Sequence, residues 1–176
     1  MTLESRTACF CGYRPEEFSF ILKKGHKAYF ILEHHISQTI LQAVDHGYTR
    51  FLCGMIKGFD LTAGVVLAEL RKKREHMRKV ELVAVLPYVG YGFDDPWQII
   101  YQMVIAQADE VITLAPACTR ETFLAHNRYI IDKSTRLICY YEGNKDDMKY
   151  TIEYARKKQR EIINLKTYDM ITSPRG

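Results

Sequence analysis

Strand-like and helix-like apolar runs alternate along this chain, and that alternation constrains its fold more than any other feature. The run Thr7-Ala8-Cys9-Phe10-Cys11 reads as a buried strand, stopped by Gly12 and Pro15. From about Gly25 to Asp45, the residues Tyr29, Leu32, Ile36, Ile40 and Val44 recur at three-to-four spacing. That spacing is one face of an amphipathic helix, and Gly47 is a natural stop beyond it. Phe51-Leu52-Cys53 is a second strand, followed by a helix from about Asp60 to His76. Val80–Leu86 is a third strand closed by Pro87, and Trp97–Gln107 a third helix. Glu110–Leu114 is a fourth strand, followed by a helix from about Thr119, its N-cap, to Lys133. Arg136–Tyr141 is a fifth strand; a last helix capped by Asp146 or Asp147 runs to about Gln159, and Glu161–Leu165 is a sixth strand. The tail from Thr172 reads as frayed.

Such alternation calls for parallel strands joined by crossover helices. The expected fold is therefore α/β: a doubly wound, mostly parallel sheet of about six strands with helices on both faces. Near-continuous apolar strands such as Leu82–Leu86 fit a sheet covered on both sides. At 176 residues without a composition break, one domain over 1–176 is expected, with its core at about 7–165. An apolar content of 47% excludes a disordered chain, and 10 Gly with 5 Pro exclude a collagen-like one.

No apolar run approaches the ~18 residues that a membrane span needs, and Met1–Arg6 lacks the apolar core of an export signal. Five cysteines, an odd number, point to reduced thiols in a cytoplasm. A net charge of +4 is too small to identify a nucleic-acid binder, although Arg156, Lys157, Lys158 and Arg160 form a basic run.

In an open α/β sheet the ligand site lies beyond the carboxyl ends of the strands, so the loops there carry the candidates. After the first strand, Gly12 permits close backbone approach and Arg14 offers a forked cation to a phosphate; an exposed turn arginine is the plain alternative. After the second, Gly54-Met55-Ile56-Lys57-Gly58-Phe59-Asp60 opens directly into a helix. Its glycines would place backbone amides at a positive helix end, a setting for an anion. The spacing matches neither a P-loop nor the dinucleotide fingerprint. Asp60 is either the N-cap of that helix or a carboxylate for ribose or base donors, and both roles can coexist. On this reading Gly58→Val removes ligand binding without unfolding the domain. Tyr88, with Tyr91, Phe93 and Trp97, would either stack on a nucleobase or pack as core. Glu142 and Gly143 end the fifth strand, with Gly143 again allowing close approach.

Other clusters carry less. His34 and His35 are adjacent, so they point to different sides of their helix and cannot share a metal. Cys9 and Cys11 fall on one face of a strand without a second ligand pair, so core thiols are the reading and no metal site is assigned. No G-x-S-x-G elbow is present, and catalytic residues remain unassigned.

Three segments together resemble the YpsA-like family of the SLOG superfamily: Cys11-Gly12-Tyr13-Arg14-Pro15, Cys53–Ala63 and His126–Ser134. That superfamily is named after the DNA-processing protein DprA and the LOG cytokinin-activating enzymes. The resemblance covers roughly Thr7 to Leu165. It implies a Rossmann-like fold holding a nucleotide or nucleotide-derived ligand, ADP-ribose-like compounds included. It also implies that Gly12, Gly54 and Gly58 line the pocket, with Asp60 at the acidic position of the second motif. Asn127, Asp132 and Ser134 match the third motif and would order the approach to the fifth strand, reach the ligand, or only pack and cap. LOG enzymes carry P-G-G-x-G-T-x-x-E; here the corresponding stretches are Ala115–Glu121, or Glu142-Gly143 followed by Thr151, without the paired glycines.

The expected function is binding or sensing of a nucleotide-like small molecule in the cytoplasm. One alternative is a hydrolase acting on an N-glycosidic or phosphate bond, with Asp60 or Glu142 as its acid–base group. The other is a DprA-like accessory protein for single-stranded DNA, a partner left open but not favoured. A homo-oligomer is also left open.

Overall fold

The computed structural model describes residues 6–143 and 146–167. Six parallel strands form one sheet: β1 (Arg6–Gly12), β2 (Tyr48–Cys53), β3 (Glu81–Tyr88), β4 (Glu110–Ala115), β5 (Arg136–Tyr140) and β6 (Glu161–Asn164). Their order is β4-β3-β2-β1-β5-β6. The helices are α1 (Lys27–Asp45), α2 (Phe59–Lys73), α3 (Trp97–Gln107), α4 (Thr122–Asp132) and α5 (Asp146–Lys157). The chain steps outward from β1 to β4, then returns across the sheet to β5. With right-handed crossovers, that reversal puts α1, α2 and α3 side by side on one face and α4 with α5 on the other. The doubly wound architecture expected from the alternating periodicity is the one observed.

The centre of the sheet is dry. Ala8, Cys9 and Phe10 on β1, Phe51 and Cys53 on β2, and Leu137, Ile138 and Cys139 on β5 have no exposed surface. Burial on both faces removes the period-two alternation, which is why these strands read as unbroken apolar runs. In register, Phe10 lies beside Cys53 on one side and Ile138 on the other, so the carboxyl ends of β1, β2 and β5 finish together.

Element ends differ from the sequence reading in three instructive places. Pro87 lies inside β3, which continues to Tyr88 opposite Ala115 of β4. Pairing with β2 has ended at Ala84, so the missing proline N–H costs no ladder bond on that side. Thr119 is not the cap of α4: that helix starts at Thr122, whose Oγ1 accepts the Thr119 N–H at 2.7 Å. Asp60 is not the cap of α2 either; Gly58 holds that position with φ +105°, and Asp60 is the second helical residue. The N-terminal cap of α5 and the tail from Thr172 lie outside the described residues.

Candidate functional site at the carboxyl ends of the central strands

The loops after β1 and β2 interlock. The Phe59 N–H donates to the Tyr13 carbonyl at 2.9 Å, and the Gly12 N–H donates to Asp60 Oδ1 at 3.0 Å. The three glycines make this approach feasible. A Cβ on Gly12 would lie 2.5 Å from Phe59 Cγ, and one on Gly54 would lie 2.6 Å from Asp60 Oδ2. A Cβ on Gly58 would run into the Tyr13 carbonyl oxygen. Met55, between them, is buried and left-handed at φ 62°. The segment is held in this shape by its surroundings, since a side chain there costs energy in isolation.

This geometry corrects two expectations. The Gly12 amide does not face an open anion site, because the carboxyl of Asp60 already occupies it. Gly58→Val cannot be a clean binding variant, since a valine combines an unfavourable φ with a clash against backbone. The amides at the start of α2 do meet an acidic group, but it belongs to the protein.

Asp60 is 1% exposed. Burial pushes its carboxyl up to about 8, opposed by the amides of Gly12, Ile56 and Asp60 itself and by the Arg14 guanidinium. Burial thus favours the protonated form, and a neutral acid does not repel an anion bound above it. Arg14 is half-buried, and its charge also opposes the burial that raises the Tyr91 phenol. Among the described residues no salt bridge to Arg14 is formed.

An open polar cavity of about 660 Å³ adjoins this core, lined by Lys57, Tyr91, Asp94, Asp95, Gln98 and Tyr101 among others. Lys57 pairs with Asp95 at 2.8 Å and lies over the Phe93 ring. Tyr91 donates from its hydroxyl to the Met55 carbonyl at 3.2 Å, joining the cavity wall to the loop over Asp60. Of its lining residues the sequence pointed to Tyr91 and Phe93, but not to Asp94, Asp95 or Gln98, which the loop after β3 brings beside Lys57. A second cavity, of about 640 Å³, runs along α2 between α1 and α3 and is lined by helix side chains such as Phe30, Val65 and Trp97.

His126, the first residue of the third motif, is fully buried. Its Nε2 lies 2.8 Å from the Val85 carbonyl, which fixes the proton on that nitrogen. Burial lowers its pKa, which favours the neutral ring. Its Cε1 would lie 3.3 Å from a Cβ at Gly54, so α4 closes the floor of the site from the other face of the sheet.

The remaining candidates are dispersed. The strand order reverses between β1 and β5, and there Tyr13, Phe18, Phe20 and Tyr140 pack together, with Phe18 and Tyr140 centroids 4.8 Å apart. Glu142 Oε1 accepts from Ser19 Oγ at 2.8 Å and from the Tyr140 hydroxyl at 3.1 Å, and the Glu142 N–H donates to the Tyr13 hydroxyl at 2.8 Å. Gly143 is exposed at φ +90°, with no atom of the described residues within 4 Å of an added Cβ. Tyr88 packs edge-on against Tyr91 and Phe123 in an aromatic cluster. Asn127 reaches Thr151 between α4 and α5.

Asp132 and Ser134 lie at the opposite end of the sheet. Ser134 Oγ donates to the Ile130 carbonyl at 2.9 Å and lies 3.1 Å from Cys9 Sγ, while the Thr135 N–H donates to the Thr7 carbonyl. Asp132 accepts from the Tyr154 hydroxyl at 2.8 Å. A crossover helix runs antiparallel to its strands, so eight residues at about 1.5 Å each carry the chain about 12 Å from His126 to Ser134. That distance separates the two ends of the motif along the sheet. Ser134 is buried there, while Asp132 is exposed and tied to Tyr154 of α5 and to Lys158 after it.

An all-parallel sheet with this strand order, and interlocked glycine loops at its carboxyl end, is a Rossmann-like α/β domain. The chain matches the YpsA model, described as the YspA SLOG family, over residues 8–173, and it belongs to that family. A UPF0398 protein of Bacillus thuringiensis is 26% identical over 167 residues, covering 92% of this chain and 88% of the relative. A UPF0398 protein of Bacillus velezensis is 26% identical over 155 residues, covering 84% of this chain and 82% of its own. Among solved structures, DNA processing protein A of Helicobacter pylori, described for its single-stranded DNA binding mode, superposes with a TM-score of 0.59 at 14% identity. That of Streptococcus pneumoniae gives 0.59 at 13%. They cover 89% and 90% of this chain, which spans only 63% and 50% of theirs, and at such identities they show the fold alone.

Proposed function

We propose that this protein binds a nucleotide or nucleotide-derived small molecule at the carboxyl ends of β1, β2 and β3. The observation that carries this reading is an open polar cavity, with Lys57 in its wall, beside the interlocked loops that cover a buried carboxyl. Lys57 lines the cavity, and Arg14 stands close enough to Asp60 and Tyr91 to influence both. Arg14 and Lys57 meet the anionic part of the ligand, while Tyr91 and Phe93 offer ring surface to a base. Gly12, Gly54, Gly58 and Asp60 act as the floor that holds the loops, and Glu142 and Gly143 flank the site from β5. No bond cleavage is assigned to Asp60 or Glu142. A cytoplasmic setting fits buried thiols at Cys9, Cys11, Cys53 and Cys139.

Thermal unfolding with AMP, ADP-ribose and NAD as probes tests this. A ligand of the folded state raises the melting temperature by mass action, by about 2.7 kcal/mol of stability at a hundredfold excess over Kd. Arg14→Ala is expected to abolish the shift without lowering the unliganded melting temperature. No shift with any probe, or an unchanged shift in that variant, overturns the reading.

One observation favours a second reading, single-stranded nucleic acid on the α4–α5 face. The Arg128 guanidinium lies 5.6 Å from the ring centroids of both Tyr150 and Tyr154, and Lys158 lies over Tyr154. Basic and aromatic side chains interleaved in this way suit stacked bases. Oligonucleotide binding that weakens steeply with salt and is lost in Arg128→Ala would establish it.

A further inference from the structure

We propose that Asp94 reads the sugar of the ligand. Its carboxylate accepts from the vicinal 2′- and 3′-hydroxyls of a ribose, so the site takes ribonucleotides in preference to 2′-deoxynucleotides. The assignment rests on the nucleotide reading above and adds a sugar preference to it.

The acid that the sequence offered for ribose donors, Asp60, is sealed beneath the interlocked loops and accepts the Gly12 N–H. The open cavity presents a different pair. Its wall includes the loop between β3 and α3, which carries Asp94 and Asp95 side by side. Asp95 is committed within the protein: Oδ1 accepts the Trp97 N–H at 2.8 Å at the start of α3, and Oδ2 accepts from Lys57 Nζ at 2.8 Å. Asp94 is exposed, and among the described residues no hydrogen bond or ion pair engages its carboxylate.

An ionised carboxylate only accepts hydrogen bonds. Lys57 is the one cation among the described lining residues, against the two acids Asp94 and Asp95, so the wall keeps an excess of negative charge. A phosphate placed at Asp94 would be repelled and would offer no donor. A vicinal diol offers two O–H donors side by side, which suits the two oxygens of one carboxylate.

Position selects the sugar over the base. The Lys57 ammonium is held above its ordinary pKa chiefly by its hydrogen bond to Asp95, and the charge of Asp94 adds to this, so Asp94 stands within electrostatic reach of Lys57. Lys57 is the cation assigned to the anionic part of the ligand, and the sugar is the part of a nucleotide joined directly to its phosphate. Gln98, in the first turn of α3, also lines the cavity. Its Oε1 accepts the Phe93 N–H at 2.7 Å, which leaves its amide NH2 as a donor for a sugar oxygen.

Calorimetric titration of the full chain with AMP, GMP and CMP, each beside its 2′-deoxy counterpart, tests the assignment. Removing the 2′-hydroxyl deletes one hydrogen bond to a charged acceptor, and the deoxy form of the best-bound nucleotide is expected to bind about tenfold more weakly. Asp94→Ala is expected to bring the two forms within about twofold of each other, mainly through loss of ribonucleotide affinity. Its unliganded melting temperature should match that of the unmodified protein, since the carboxylate supports no contact of the fold. Equal affinities for the ribo and deoxy forms in the unmodified protein overturn the sugar assignment and leave the nucleotide reading standing; that comparison needs no variant. A ribose preference that survives in Asp94→Ala has the same effect. Binding of none of the six nucleotides overturns both readings.

Discussion

The ends of β2 and β5 make an instructive pair. Each finishes a dry strand, and each is followed by an acidic residue and a left-handed glycine: Asp60 with Gly58, and Glu142 with Gly143. After β2 the two are locked together. Asp60 is sealed beneath the loops, and a side chain at Gly58 would strike the backbone of the neighbouring loop. After β5 no described atom lies within 4 Å of a Cβ added to the glycine, and among the described residues Glu142 is held by hydroxyls and a distant lysine, Lys166 at 4.0 Å. The same residue types thus build a rigid floor at one junction and a loosely pinned flank at the other. What differs is the partner loop: β1 and β2 are neighbours whose following segments cross, whereas the segment after β5 leaves into α5.

The largest test of this contrast is at the glycines. Gly58→Val is expected to cost more than about 4 kcal/mol or to prevent folding, because strain and a backbone clash combine. Gly143→Ala is expected to cost only about 1–2 kcal/mol, the price of a left-handed φ for a residue with a Cβ. Urea unfolding of both proteins measures the difference. Comparable losses would erase the distinction between the two junctions.

Next in size is the pH dependence that Asp60 imposes. Its folded pKa, about 8, lies above its ordinary 3.8, so the folded state retains a proton that the unfolded chain has released. Stability from this group is fully present below the ordinary pKa and declines as pH rises, reaching its floor above about 8. The expected size is a few kcal/mol, at about 1.36 kcal/mol per unit before relaxation reduces it. His126 acts in the opposite sense: its lowered pKa removes stability as pH falls below the ordinary histidine range. Asp60→Asn isolates the first effect, since its unfolding midpoint should no longer fall between pH 6 and 8. A parallel profile in wild type and variant would show Asp60 to be ionised in place.

Much of this was legible in the sequence, for particular reasons. Two-faced burial gave strands such as Val83–Val85 an unmistakable apolar signature, and α1 showed its inward face at Leu32, Ile36 and Ile40. Gly12, Gly54, Gly58 and Asp60 are brought together because neighbouring strands end in register. Less legible was what each glycine is for, because space around an absent side chain is set by distant residues such as Phe59 and Tyr13. Asp132 and Ser134 were drawn toward the site by belonging to one motif with His126, although an antiparallel helix carries them away from it. The cavity beside Lys57 depends on how the Gly90–Asp95 loop folds back, which no local pattern specifies.

A third test concerns the ligand. Arg14 and Lys57 rise from the rigid junction, so removing either charge should leave the fold intact and weaken nucleotide binding. Lys57→Ala also frees Asp95, placing an unpaired carboxylate beside the anion; its loss of affinity should therefore exceed that of Lys57→Ala combined with Asp95→Asn. Titration calorimetry with the probe that gives the largest thermal shift measures both. Equal losses in the two variants would show Asp95 to be screened from the ligand by solvent.

The smallest effect belongs to Glu142. Glu142→Gln keeps an acceptor for the Ser19 and Tyr140 hydroxyls and leaves the main-chain bond to the Tyr13 hydroxyl untouched. Only the charge facing Lys166 is lost, and an ion pair of this kind contributes between zero and about 1 kcal/mol. A melting temperature close to that of the unmodified protein is expected, with nucleotide affinity unchanged or slightly raised as a negative charge leaves the flank. A drop as large as that of Gly143→Ala would mean that this acid organises the β5 junction as firmly as Asp60 organises the other, since the hydrogen bonds that survive the substitution would then be too weak to hold the loop without its charge.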